Sequence, residues 1–363
     1  MSALSIPPRA ADKLQLLLHE HWSVLKDIPS FEVVKYVAAP SRMPEFAAFN
    51  AEQIWEAIES KRASTSQASN QETDLKIAEW EVLRHPQSVQ TTRDFKLRRI
   101  DPPKDFEEYF EETVLLERVR EVRALLAFTR IESKGDFADA AYADDDRQTS
   151  LTRGNPTWLP ASEVRGEGIF LRFREDKLKE WEKKPSVRDL EQQYFVAHRL
   201  WRQMRRLQPY EGNFPGIRFV LIHSLTHALL RQISLECGYT EASLRERIYS
   251  HIPDGSGKEM AGFLIYTAAT DSEGTLGGLV GLGEPVSLGR HLQQALEAMR
   301  ICASDPLCAE HSPTGDGRSI HGACCHACLF APETSCERGN RYLDRNVLLG
   351  TFSTKAVEFF DLE

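Results

Sequence analysis

The apolar residues of this chain change their spacing several times, and each change marks an element. Up to about residue 60 they recur at three- and four-residue steps, in "ADKLQLLLHEHWSVLKDI" and again in "AEQIWEAIES", which predicts a mostly helical region. The polar stretch "SKRASTSQASNQETD", residues 60 to 74, holds no large apolar group and reads as a linker or mobile loop. "TRDFKLRRIDPPK" (92 to 104) predicts a strand that stops at a Pro-Pro turn. In "FEEYFEETVLLERVREVRALLAFTRI", Leu115, Leu116, Val119, Val122 and Leu126 fall at helical steps and predict a helix. An acidic, turn-rich insertion (133 to 150) follows. "GEGIFLRFRE" then alternates like a half-buried strand, and "VRDLEQQYFVAHRLWRQMRR" predicts a long charged helix.

After "QPYEGNFPGI" the chain becomes more apolar. "RFVLIHSLTHALLRQISLECG" predicts a buried helix stopped by Gly238. "GFLIYTAAT" predicts a buried strand, "DSEGTLGGLVGLGE" a glycine loop and "LGRHLQQALEAMRICASD" another helix. The cysteine-rich segment closes the domain, with a short helical tail beyond it. No internal repeat is visible.

Composition narrows the classes. With 363 residues and 41% hydrophobic content, the chain is long enough for two or three globular domains. No apolar run approaches the length of a membrane helix, and "MSALSIPPRAADKLQ" lacks the apolar core of a secretory signal, so a cytoplasmic protein is expected. A net charge of −9 argues against a free-standing nucleic-acid coat, though not against a local basic face. Seven cysteines, concentrated from Cys302 to Cys336, point in a reducing compartment to metal rather than to disulfides.

The metal reading rests on spacing. Cys325 and Cys328 form a C-x-x-C pair that turns two thiolates onto one tetrahedral ion, Cys336 follows, and Cys308 reaches in from upstream. Cys302 competes for the fourth place. Cys324, beside Cys325, is a spare thiol, and Cys237 a core thiol. An iron–sulfur cluster would accept the same four thiolates. A redox C-x-x-C would need a thioredoxin-like setting that is missing here, and a nucleophilic cysteine would need His326 or His311 as its base. A closed four-ligand site is structural, because it leaves no coordination position for catalysis.

His223 and His227 stand four apart on one helical face. That spacing suits zinc, but Ser224 occupies the place of the metalloprotease glutamate, and packed or hydrogen-bonded histidines are the plainer reading. Approach of Glu236 or Asp271 would shift that balance. The glycine loop fails both the Walker and the dinucleotide patterns; Gly277 and Gly278 read as close-packing positions, with Asp271 and Glu273 available to cap a helix. No catalytic set emerges. "HRLWRQMRR" gathers Arg199, Arg202, Arg205 and Arg206 beside Trp201, with Arg199, Arg202 and Arg206 on one helical face that suits phosphate or an acidic partner; a solvated helix face is the alternative. Arg93, Lys96, Arg98 and Arg99 form a second basic cluster.

"LIHSLTHALL", "SLRERIYS", "FLIYTAATDSEGTLGGLVGLG", "CASDPLC" and "GACCHACLFAPETSCERGNRYLDR" carry a resemblance. The stretch from about 217 to 346 resembles the MZB domain, the zinc-binding domain at the C-terminus of MrfA-type DNA helicases and in their partner proteins. The wording is most similar to the DrmB family of the DISARM antiphage system, which pairs with the helicase DrmA. "LLERVREVRALLAFTRI" and "WLPASEVRGEGIFL" extend the likeness to roughly 112–346. By position, the resemblance places the zinc ligands on Cys308, Cys325, Cys328 and Cys336, with one structural Zn2+. It implies a non-catalytic accessory subunit that helps a DrmA-like helicase subunit engage DNA, with no membrane role. An extended N-terminal region, general in that family, has no counterpart here.

The expected fold is α+β: a helical N-terminal region with polar linker (1–75), a mixed α/β middle domain (76–210) and a zinc-clasped MZB-like domain (211–363). Two rival functions remain: a metal-dependent hydrolase or nuclease using His223, His227, Asp271 and Glu273, and a regulatory scaffold without DNA contact.

Overall fold

An antiparallel sheet organises most of the molecule in a computed structural model that describes residues 2–6, 13–14, 17–18, 20–66, 75–125, 127–129, 148–152, 154, 158–250, 259–267, 278–313, 317–351 and 356–362. The chain is mixed α+β and divides into two compact units. One comprises Ile6–Ala78 and Gln87–Gln90; the other comprises Met1–Ser5, Glu79–Pro86 and Thr91–Glu363.

The smaller unit is helical. It contains α1 (Trp22–Leu25), α2 (Phe31–Val37) and α3 (Ala51–Ser66), packed around Leu18, Leu25, Ile28, Val34, Phe46, Ile54 and Ile58. The linker expected over 60–74 begins later than its polarity suggested. α3 runs through Ser66, because Arg62 anchors it by donating to the carbonyls of Lys26 and Ile28. Residues 67–74 lie outside the described residues.

In the larger unit, α4 (Leu75–Arg84, which enters it at Glu79) precedes the sheet. The strands are β1 (Ser2–Leu4), β2 (Lys96–Ile100), β3 (Phe110–Ala124), β6 (Ala161–Phe173), β7 (Leu244–Tyr249) and β8 (Gly262–Thr267), in the order β1-β3-β6-β8-β7. β2 shares an edge of β3 with β1: Lys96–Ile100 pairs with residues 113–118 and Ser2–Leu4 with 121–123. β4 (Ala127–Thr129) and β5 (Gln148–Ser150) form a separate pair.

The helix expected over 106–131 is instead β3. Thr113, Val114, Val119 and Val122 are β-branched, and Val114, Leu115 and Leu116 are all buried because both faces of the strand are covered. An irregularity in the pairing with β6 between Leu116 and Val119 then resets the alternation. Three buried neighbours followed by a bulge imitate helical spacing. Leu126 and most of the acidic insertion lie outside the described residues.

Helices α5 (Glu175–Glu182), α6 (Pro185–Met204), α7 (Gly216–Cys237), α8 (Gly278–Leu282) and α9 (Pro285–Glu297) complete this unit. α7 is buried all round over 217–230, packs on β7, β8 and α9, and ends at Gly238, whose φ of 72° is left-handed. The expected boundary at 210/211 falls inside this unit, where β6 pairs with β8 and the two sides share one core. Among the described residues the tail is not helical beyond the short turn Arg345–Val347. Its Phe359 and Phe360 instead enter an aromatic cluster with Tyr109, Phe110, Phe173 and Trp181.

The close approach expected of Gly277 and Gly278 belongs to Gly283. A Cβ there would stand 2.4 Å from Leu115 Cδ2, whereas at Gly278 the nearest atom is 3.8 Å away; Gly277 is outside the described residues. The start of α8 is capped by Glu167 of β6, which accepts from Leu279 N (2.8 Å) and Val280 N (3.3 Å). Asp271 and Glu273, expected in that role, lie outside the described residues.

Candidate metal centre and basic face

Four thiols converge between the end of α9 and the loop that follows: Cys302, Cys308, Cys325 and Cys328. Their sulfurs all lie within 4.8 Å of one another. Cys302 to Cys325 is 3.5 Å, Cys308 to Cys328 is 3.7 Å and Cys325 to Cys328 is 3.8 Å. A tetrahedron with Zn–S bonds of about 2.3 Å has edges of about 3.8 Å, so the donor set fits zinc. The spacings are far above a disulfide bond, and all four cysteines are free.

Local structure positions each sulfur. The C-x-x-C turn directs the N–H of Ala327 at Cys325 Sγ (3.4 Å), and in the loop after Cys302 the N–H of Ser304 points at Cys302 Sγ (3.4 Å). Asp305 accepts from Cys302 N (2.8 Å) and Ala309 N (3.1 Å), which shapes the loop between Cys302 and Cys308. The wholly buried Arg345 grips Asp305 and donates to Met299 O at 2.8 Å, tying that loop to the chain beyond the cysteines. Burial pushes the Cys308 thiol up to about 12 and raises Cys328 too. Burial also opposes ionisation of Cys325, but the Ala327 N–H and neighbouring Ser304 and Cys302 draw it down to about 7. A divalent ion at the centre would replace the protons that burial otherwise retains.

This geometry corrects the ligand set expected from spacing and resemblance. Cys302 occupies the fourth corner, and Cys336 stands elsewhere, with His223, His227 and Glu246. After Pro332 the chain turns back onto β7, where Ser335 O accepts from Glu246 N at 3.1 Å, and this carries Cys336 to α7. Cys324 is buried and outside both groups; the side chain of Cys237 is outside the described residues. Glu246, in the middle of "SLRERIYS", was missed. Its signal was a carboxylate at an inward position of a strand whose other inward residues are apolar.

The basic face is also rearranged. Arg202 is 3% exposed and donates to the carbonyls of Leu207 and Pro209, so it braces the end of α6 and is closed to phosphate. α6 stops at Met204, and Arg206 lies in a left-handed turn (φ 56°), so the expected shared face of Arg199, Arg202 and Arg206 does not form. Arg199 and Arg206 are exposed. Arg205 and Arg341 cover Trp201 at 4.2 and 4.4 Å from the ring centre. Beside them opens a cleft of about 300 Å³ lined by Trp201, Arg205, Arg318, His321, His326 and Arg341, next to the Cys325–Cys328 turn. In the second basic cluster, Lys96 and Arg98 pair with Glu117, Arg98 also with Glu284, and Arg99 with Glu112. Carboxylates thus neutralise three of its four members, Lys96, Arg98 and Arg99.

Comparison with known proteins agrees with the thiol centre. Residues 225–329 match the family described as MZB, the MrfA Zn-binding domain. The DISARM protein DrmB of Bacillus paralicheniformis is 35% identical over 272 residues, covering 74% of this chain and 46% of that protein. The chain therefore spans about half the length of this curated relative. The DNA-bound crystal structure of the DUF1998 helicase MrfA aligns with 64% of this chain and 24% of its own, at 12% identity and a TM-score of 0.26. The chain thus carries an MZB match at residues 225–329 and is similar to the DISARM protein DrmB over 74% of its length.

Proposed function

We propose that this chain is a non-catalytic, zinc-stabilised accessory subunit of a helicase-containing antiphage system of the DISARM type. In this reading it acts in the cytoplasm and helps a DrmA-like helicase engage DNA. The similarity to DrmB carries the proposal. Among the described residues no helix is long and apolar enough to cross a membrane. The cleft of arginines and histidines beside Trp201, flanked by exposed Arg199 and Arg206, supports the DNA arm, because guanidinium groups suit phosphates. The net charge of −9 makes weak binding by the isolated chain the expectation, with a continuous basic track formed only beside a partner.

Arg199→Glu combined with Arg206→Glu is expected to weaken DNA binding by the reconstituted complex about tenfold at low salt. The loss should be similar across sequences and shrink as salt rises, because phosphate contacts act through counterion release. Fluorescence anisotropy on labelled DNA measures this, with partner affinity followed in parallel. Loss of partner binding would assign the arginines to a protein interface. No change in either would leave a solvated turn and favour a scaffold without DNA contact.

The chain alone is expected not to turn over ATP, since no phosphate loop occurs in its sequence. Phosphate release that survives stringent purification and disappears with a point mutation in this chain would overturn that. The hydrolase reading loses support from the geometry. His223 and His227 are enclosed, at 0% and 1% exposure, by Glu246 and Cys336. Its other two residues, Asp271 and Glu273, are outside the described residues.

A further inference from the structure

A second group of donors converges away from the four thiols. His223 and His227 lie one turn apart on α7, Glu246 comes from β7 and Cys336 from the loop that returns to that strand. One ligand atom from each lies within 4.8 Å of the others. His223 Nε2 is 3.2 Å from Cys336 Sγ and 3.0 Å from Glu246 Oε1; His227 Nε2 is 3.2 Å from Glu246 Oε2. All four side chains are buried.

The surrounding backbone prepares these atoms for coordination. His227 Nδ1 donates to Leu329 O at 2.7 Å, and His223 Nδ1 faces Tyr342 O at 3.3 Å. A carbonyl only accepts, so each neutral ring carries its proton on Nδ1 and turns the Nε2 lone pair inward, the arrangement that outer hydrogen bonds impose on metal-binding histidines. Cys336 Sγ receives the N–H groups of Arg338 (3.4 Å) and Asn340 (3.2 Å), which favour a thiolate. Glu246 Oε1 receives the N–H of Glu337 at 2.9 Å.

A cluster of ion pairs without metal would use the same groups, but one detail disfavours it. His227 Nε2 and Glu246 Oε2 are buried and close, yet neither has a hydrogen-bond partner among the described residues. At 3.2 Å the two form an ion contact that lacks hydrogen-bond geometry. A buried polar group without a hydrogen bond is costly, and a cation held between the two atoms would satisfy both. The charges also balance: one carboxylate and one thiolate neutralise a divalent ion, while two neutral imidazoles complete the shell.

We propose that His223, His227, Glu246 and Cys336 bind a second divalent transition-metal ion, zinc by ligand type, separate from the four-thiol centre. Four enclosed protein ligands leave no position for a reacting water, so this ion is structural. It clamps α7, β7 and the 329–342 loop together, whereas the thiol centre joins only the segments around 302–308 and 325–328. The site is independent of any partner or DNA.

Metal counting on the purified full chain tests it. Plasma mass spectrometry is expected to find two zinc ions per chain in the unmutated protein. Glu246→Gln, close in volume, should leave one; Cys302→Ser should leave one; their combination should leave none. X-ray absorption on the unmutated chain needs no substitution: the averaged zinc shell should contain nitrogen and oxygen besides sulfur, near five sulfurs to three lighter atoms over two sites. A single zinc with an all-sulfur shell overturns the proposal. So do two zincs retained in Glu246→Gln.

Discussion

Cys328→Ser is expected to strip the thiol centre of its ion and to unfold the cysteine-rich end of the chain. Cys302→Ser should do the same, whereas Cys336→Ser should leave that ion in place. The magnitude comes from linkage: a closed site that does not exist in the unfolded chain contributes its binding energy to folding, on the order of 10 kcal/mol for structural zinc. Here the ion would join the segment after α9, which Arg345 and Asp305 brace, to the Cys325–Cys328 turn, and the same region contributes Ile320, Leu329, Leu343 and Val347 to the main core. Loss should therefore spread beyond the loop. Elemental analysis with thermal melting checks it, and Cys324→Ala serves as control because that thiol is outside both donor groups. Retention of zinc by Cys302→Ser together with its loss from the thiol centre in Cys336→Ser would restore the ligand set expected from spacing.

The second large effect is expected far from any cysteine, at Glu79→Ala. Glu79 is 2% exposed and accepts from Leu4 N (3.0 Å), Tyr249 OH (3.0 Å) and Arg247 Nη2 (2.8 Å), with Arg247 Nε on its other oxygen. Burial disfavours charge on Arg247, yet the Glu79 carboxylate more than compensates and raises it. Removing that carboxylate leaves a guanidinium 4% exposed without its counter-ion. Breaking a buried pair in this way costs about 3–5 kcal/mol, and the same change also detaches β1 and β7 from α4. Chemical denaturation measures the loss. Glu79→Leu combined with Arg247→Met should recover a large part of it, since replacing both charges removes the penalty of the orphan. A single variant within about 1 kcal/mol of the unmutated chain would show that water reaches Arg247 and that the ion pair contributes little.

The cysteine region illustrates how far residue order alone reaches. C-x-x-C spacing placed Cys325 and Cys328 in one donor group, because three residues suffice to turn two sulfurs inward. It set Cys302 against Cys308 and counted Cys336 in, whereas the structure brings Cys302 and Cys308 together and takes Cys336 away, an outcome that depends on where separate segments meet. Cys302 enters because Asp305 and Arg345 fold its loop toward the turn; Cys336 leaves because β7 captures the chain at Ser335. The same distinction holds for α7. Its length, apolarity and stop at Gly238 were legible, as was the histidine pair, but the companions turned out to be Glu246 and Cys336, 19 and 109 residues beyond His227.

Local pattern determined the strands β2, β6 and β8 and the helices α6, α7 and α9, whose length, composition and flanking Gly or Pro lie within each segment. Tertiary structure decided the rest. β3 was hidden because coverage of both faces and a bulge overwrite strand alternation. The boundary at 210 vanished because β6 and β8 pair across it. Arg202 left the basic face because the turn after α6 offered it two carbonyls. In each case the deciding partner lies on another strand or in a turn whose path the local pattern did not specify, and periodicity records which residues prefer burial, not what they are buried against.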